Sequence, residues 1–394
     1  MRRIFTRNLP VWSLLIWASL VLATSCRHDD IVYPSRSFAV GWPEWTDISG
    51  FYLLNEGNMG SNSATLDYYD FTTGTYRRNI YPEMNPTVVK ELGDVGNDIA
   101  IYGSKLYAVI NCSHKVEVME AENAKRITHI DIPNCRYIVF DKGYAYVSSY
   151  VGPVQISPMA PKGAVFKVDT TTLKVVGTVE VGYQPEEMAI RFGKLYVANS
   201  GGYRAPNYDN TVSVIDLESF KEVRKIEAGI NLHRLKGDKR GYLYVSSRGD
   251  YYDVPSCLYV IDAWTDRVVE KLDLGVSDFC ISGDSAYLYS TEWNHQTGQN
   301  VITYGILDLK ERKLVSRNFI SDGTEKKIKI PYGIAIHPIT KDIYVTDAKS
   351  YVIPGTLYCF NNDGHLKWKV TTGEIPAHFA FKGSFEDKIY DHEE

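Results

Sequence analysis

Apolar and polar residues alternate in short runs along most of the chain, and the runs recur. Copies of one apolar strand type begin at Phe51 (FYLLNE), Leu106 (LYAVIN), Tyr144 (the AYVSSY run), Leu195 (LYVANS), Tyr242 (YLYVSS), Ala286 (AYLYST) and Asp342 (DIYVTD), 38 to 56 residues apart. A second type follows each: TLDYYD, KVEVME, AVFKVD, TVSVID, CLYVID, ITYGILD and TLYCFN. Period-2 alternation marks strands with two different faces. The second type runs into polar turns such as DTTTLK, DLESFK, DAWTDR and NNDGHLK, then a charged strand, a turn and a new inner strand such as QPEEMAIR or IPYGIAIHP. Four strands repeated at this period predict a β-propeller, one sheet per blade.

The phase of the repeat predicts how the ring closes. The strand at Phe51 is of the type that stands next to an inner strand, second in its blade, yet no inner strand precedes it, and IPAHFAFKG from Ile375 is an inner strand with no successors. Pairing them completes a seventh blade and leaves no open sheet edge. The fold class is therefore all-β, a seven-bladed β-propeller closed by its two ends. A chain of this length exceeds the usual single-core limit, which propellers escape because each blade packs only on its neighbours.

Loop lengths place the candidate site. Loops joining second to third strands share a face with those entering each inner strand, and six are long: Asn55–Ala64, Ser148–Gly163, Asn199–Asn210, Ser246–Ser256, Thr291–Asn300 and Thr346–Gly355. Elaboration of one face is how a site is grafted onto a repeat scaffold. The long loops carry Tyr150, Tyr203, Arg204, Tyr208, Arg248, Tyr251, Tyr252, Trp293, His295 and Tyr351. The approaches to the inner strands add Asn97, Asp98, Arg136, Glu186, His233, Arg234, Asp278, Tyr332 and His378. Loop aromatics and arginines make rigid, amphipathic contact surfaces. The expected ligand contacts are Tyr150, Tyr203, Arg204, Arg248, Tyr251, Tyr252, Trp293, His295, Tyr332 and Tyr351. The other reading of each loop tyrosine is packing against the neighbouring loop.

Little else in the sequence points to chemistry. There is no nucleophile elbow, phosphate loop or His-Glu-x-x-His motif, so the chain reads as a binding scaffold rather than an enzyme. Glu56, Asn97-Asp98 and Glu186-Glu187 are the residues a cation would use, but polar channel linings are common in propellers, and no metal is expected. The 29 tyrosines among 394 residues include many strand residues suited to packing. A formal net charge of −5 argues against a nucleic-acid partner. Of six cysteines, Cys112, Cys135, Cys257, Cys280 and Cys359 lie in the repeat region. Export permits a disulfide, and Cys112 with Cys135 is the least unlikely pair, since both sit near one face of adjacent blades; structural cysteines are the favoured reading.

The ends add an address. Arg2, Arg3 and Arg7 precede a short apolar run, Val11 to Ala23, which has the form of a signal peptide. Leu22-Ala23-Thr24-Ser25-Cys26 resembles a bacterial lipobox, with Cys26 the lipidated residue; the alternative is an ordinary signal peptide cut near Ser25. Asp29-Asp30 resembles a surface-export signal of lipoproteins from gut Gram-negative bacteria. The expected organisation is a signal peptide over 1–25, a lipidated tether over 26–49, the propeller over 50–383 and an acidic tail over 384–394.

LYVANSGG followed by NTVSVIDLESFKEVRKIEAG resembles the YVTN or YncE-like propeller repeat of exported bacterial proteins. NEGNMGSNSATLDYYD, LGDVGNDIAIYGSKLYAVIN, PYGIAIHPITKDIYVTDAKSYVIPGTLYCFNNDG and GEIPAHFAF are similar to stretches of the BtuG-type surface lipoproteins, over roughly Gly50 to Lys382. That resemblance implies an outer-membrane lipoprotein facing the cell exterior. It would capture vitamin B12, with cobalamin as cargo and no resident cofactor, and pass it to a TonB-dependent outer-membrane transporter. A siderophore or haem-like cargo, or a calcium-dependent propeller lactonase, are the alternatives.

Overall fold

A computed structural model describes residues 36–88, 91–294 and 298–383. The signal segment, Cys26, His295 and the acidic tail lie outside the described residues.

Seven antiparallel sheets form the blades of a β-propeller. Blade 1 is the closing blade: Pro376–Gly383 is its inner strand, followed outward by Ile48–Asn55, Thr65–Asp70 and Thr75–Arg78. Leu54 pairs with His378 and Phe51 with Phe381, so the two ends of the repeat close the ring. Blades 2 to 6 begin with inner strands Gly96–Tyr102, Cys135–Asp141, Pro185–Arg191, Leu232–Gly237 and Asp278–Ser282, and blade 7 with Pro331–Ile336. Each continues through three consecutive strands.

Two elements differ from the sequence reading. Arg36–Ala39, expected as part of a tether, pairs with Thr75–Arg78 and gives blade 1 a fifth strand. In blade 6, Thr291–Asn294 and Gln299–Asn300, expected within a loop, are strand: Ser285–Asn294 pairs with Gln299–Asp308, in register through Trp293 and Asn300. Its backbone hydrogen bonds carry the strands out to the elaborated face.

The core follows the ring. Seven clusters of buried apolar residues each join two neighbouring blades, as where Tyr52, Leu54 and Leu66 of blade 1 meet Leu106, Ala108 and Ile110 of blade 2. The repeated tyrosine of the second strand is a core residue: Tyr52, Tyr107, Tyr146, Tyr196, Tyr244 and Tyr344 are all buried. Burial of each ring contributes about 2–3 kcal/mol. Its hydroxyl can also reach the next blade: Tyr52 donates to the Ala121 carbonyl, Tyr196 to Ala263 and Tyr244 to Leu309, at 2.9–3.1 Å. The repeated aspartate ending the third strand folds the turn that follows. Asp169, Asp262 and Asp308 accept backbone N–H bonds from two residues on, which is the Asx-turn geometry.

A hydroxyl clamps three of the inner strands. Where the ladder bulges, the N–H groups of Tyr137, Arg234 and Gly333 donate to Ser148, Ser246 and Thr346. Ser148 and Thr346 in turn donate to the Glu186 and Pro376 carbonyls of the next blade.

Candidate functional site

The elaborated face has a charged floor assembled from three blades. Glu186, 1% exposed, lies at the start of the blade 4 inner strand. It accepts from Arg136 of blade 3 (Nη2, 3.0 Å), Arg248 of the blade 5 loop (Nη2, 3.0 Å), the Tyr150 hydroxyl (2.5 Å) and Ser200 (3.2 Å). Burial pushes its carboxyl up, but the two guanidinium groups and the Tyr150 hydrogen bond outweigh burial and hold it below the usual carboxylate range. Alongside, Arg234 bridges the Tyr137 hydroxyl (3.0 Å) and Asp278 (3.2 Å), and Lys236 pairs with Glu187 at 2.5 Å. His233 Nε2 lies 3.1 Å from the Tyr137 hydroxyl. Desolvation, then the positive field of Arg248, Arg234, Arg136 and Lys236, holds this imidazole well below its ordinary range and keeps it neutral.

Above this floor opens a cavity of about 580 Å³, walled by Tyr251, Tyr252, Trp293, Tyr332, Tyr351 and Arg248 and floored by His233 and Arg234. Tyr251, Tyr252 and Trp293 are 58%, 82% and 57% exposed. Tyr351 packs edge-on against Tyr332, whose hydroxyl donates to Glu56 at 2.9 Å. Glu56 is also 3.2 Å from His378 Nε2. Arg234 lines a second cavity of about 850 Å³, which opens along the inner strands from the opposite side. The Tyr137–Arg234–Asp278 layer stands between the two.

The remaining sequence candidates fall elsewhere. Tyr150 is buried, its ring set edge-on to Tyr203 and its hydroxyl spent on Glu186. Arg204 stacks on Tyr183 with its guanidinium carbon 3.7 Å from the ring centroid. Tyr150 and Tyr203 therefore brace the floor beside the cavity, and Arg204 packs on a neighbouring ring. Tyr208 comes near Tyr251, Tyr252 and Arg248. Val254, Pro255, Val276 and Tyr289, not singled out from sequence, also line the cavity. Tyr289 belongs to the strand repeat, so its type gave no signal of a second use.

The carboxylates considered for a cation are separated and engaged: Glu56 with His378 and Tyr332, Glu186 with arginines, Glu187 with Lys236, and Asp98 with the backbone N–H groups of Ile99 and Ile138. Among the described residues no group of three or more His, Cys, Asp or Glu is arranged to hold a metal. Cys112 and Cys135, the least unlikely pair for a disulfide, do not form one, and all five described cysteines are free. The Cys135 thiol is buried toward the Lys115 and Ile110 carbonyls, and Cys112 turns to the Asn111 side chain.

Solved structures share the architecture. A putative 6-phosphogluconolactonase of Bacteroides uniformis superimposes with a TM-score of 0.59 at 11% identity, over 86% of this chain and 100% of that one. A quinoprotein alcohol dehydrogenase-like protein of Bacteroides thetaiotaomicron gives 0.56 at 15%, over 86% and 79%. Hydrazine synthase of Kuenenia stuttgartiensis gives 0.56 at 17%, over 68% and 77%. At these identities the likeness is one of fold. No curated protein matches the chain. A family model described as a domain of unknown function, DUF5074, matches residues 49–382, the whole of the propeller's repeat, and the chain belongs to that family.

Proposed function

We propose that this propeller is a capture protein whose elaborated face holds a large, amphipathic small molecule without transforming it. The observation that carries this reading is the set of exposed aromatic faces, Tyr251, Tyr252 and Trp293, around a preformed cavity on an ion-paired floor. Cavities of this volume suit small-molecule ligands, and rigid walls reduce the ordering cost of binding. A corrinoid is the favoured cargo, because a broad amphipathic disc rimmed with amides matches aromatic walls with polar groups between them. Met59, Ile156, Met159 and Val352, on three loops of this face, are also strongly exposed. Such a rim is suited to a second protein docking over the cargo, and a TonB-dependent outer-membrane transporter is the partner proposed. Lipidation at Cys26 and display on the cell exterior complete the reading.

The test is gel filtration of the chain, with Cys26→Ser for solubility, mixed at micromolar concentration with cyanocobalamin. Co-elution of visible absorbance with protein supports corrinoid capture, and separation rejects it. Parallel runs with haemin and a ferric siderophore test the other cargo classes. Chelator-sensitive hydrolysis of a lactone would replace capture with catalysis.

A further inference from the structure

The charge pattern beneath the cavity goes one step further and rests on the capture reading. Arg234 is matched by Asp278 and Lys236 by Glu187. Arg136 and Arg248, however, share the single carboxylate of Glu186, which leaves one positive charge over at this point of the floor. Of the two, Arg248 lines the cavity, with 27% of its side chain exposed and Nη2 bound to Glu186. The Nε–H groups of Arg248 and of Arg234, itself 6% exposed, have no hydrogen-bond partner among the described residues. Unpaired donors in a buried setting are costly, by about 1–3 kcal/mol each. Glu292 is the acidic residue of the cavity wall, but it stands at the exposed rim, tied to Ser256 and Ser290. His233 adds a neutral imidazole that already feels the positive field.

We infer that the floor of this cavity is the seat of an anionic group of the cargo, a phosphate or carboxylate, held by the Arg248 guanidinium beside His233. The aromatic walls take the apolar body of the ligand, and the anion fixes its orientation. A guanidinium suits this work because its planar fork meets two oxygens of a phosphate or carboxylate at once.

Isothermal titration of the Cys26→Ser chain tests the seat with three probes: inorganic phosphate, cyanocobalamin, which carries a phosphodiester, and dicyanocobinamide, which lacks it. Cyanocobalamin should bind more tightly than dicyanocobinamide, and its affinity should fall with added salt. Arg248→Gln should weaken cyanocobalamin at least ~tenfold while sparing dicyanocobinamide, and Arg248→Lys should keep part of the gain. Phosphate binding that Arg248→Gln abolishes supports the seat even where neither corrinoid binds, in which case only the corrinoid cargo is rejected. Equal binding of the two corrinoids by the unsubstituted chain overturns the inference and needs no variant that folds. So does phosphate that does not bind, or that binds equally with and without Arg248.

Discussion

Single residues in this propeller serve either the ring or the face, and burial separates the two. Tyr52 and Tyr251 are the same residue type, yet one is 1% exposed between blades and the other 58% exposed over a cavity. Glu186 shows what the floor costs to disturb. Glu186→Gln would leave Arg136 and Arg248 facing each other without a counter-charge, and breaking a buried pair from one side costs about 3–5 kcal/mol. Urea unfolding should show that loss. His337 makes a second prediction. It is fully buried, and its Nδ1 accepts from the backbone N–H groups of Ile339 and Thr340, a role only the unprotonated nitrogen can fill. Burial, with help from Lys367 and Lys341 against Glu44, brings its pKa down to about 4. The unfolded chain then binds the proton that the folded one refuses. Stability should be full above pH ~6.5 and fall toward pH 4, by on the order of 3 kcal/mol. His337→Asn, which keeps an acceptor and cannot titrate, should flatten that part of the curve.

Strands and loops were legible to the extent that burial wrote a pattern into them. The second strands are buried at nearly every position because both faces of each sheet pack against another blade, so they stand out as short apolar runs whose period and phase could be read directly. Arg36–Ala39 is exposed at every position and gives no alternation, although it pairs with Thr75–Arg78. The far end of the blade 6 hairpin is equally unmarked, since Gln299, Asn300 and Val301 are exposed. The face carrying the site followed from loop lengths, but the floor did not. Arg136, Glu186 and Arg248 are far apart in sequence, and only the ring brings them onto one carboxylate. The pairing of Cys112 with Cys135 could not be read from sequence for a related reason: proximity along one face says nothing about where two thiols point. At this scale the bridging hydroxyls are testable. Thr346→Val keeps the shape but strands the Gly333 N–H and removes the hydrogen bond to the Pro376 carbonyl, at a cost of about 1–3 kcal/mol. Hydrogen exchange at Gly333 should accelerate accordingly.

The whole molecule is a closed ring in which seven apolar interfaces substitute for one core. Its closure depends on Pro376–Gly383, which pairs with Ile48–Asn55 and supplies Ala380 and Phe379 to the packing on both sides. Ending the chain before Pro376 should open an unpaired sheet edge and abolish the single cooperative unfolding transition, leaving an aggregation-prone product. A ring held this way keeps its loops fixed at both ends, which is what a preformed binding face requires. The central claim is that the exposed aromatics of that face hold a cargo rather than each other. Calorimetric titration of cyanocobalamin into the Cys26→Ser chain and into the same chain with Tyr251→Ala and Trp293→Ala measures this most directly. Saturable one-to-one binding, weakened at least ~tenfold in the double variant with a nearly unchanged melting temperature, is the predicted result. Binding unaffected by the two substitutions, or a melting temperature that collapses with them, would contradict it.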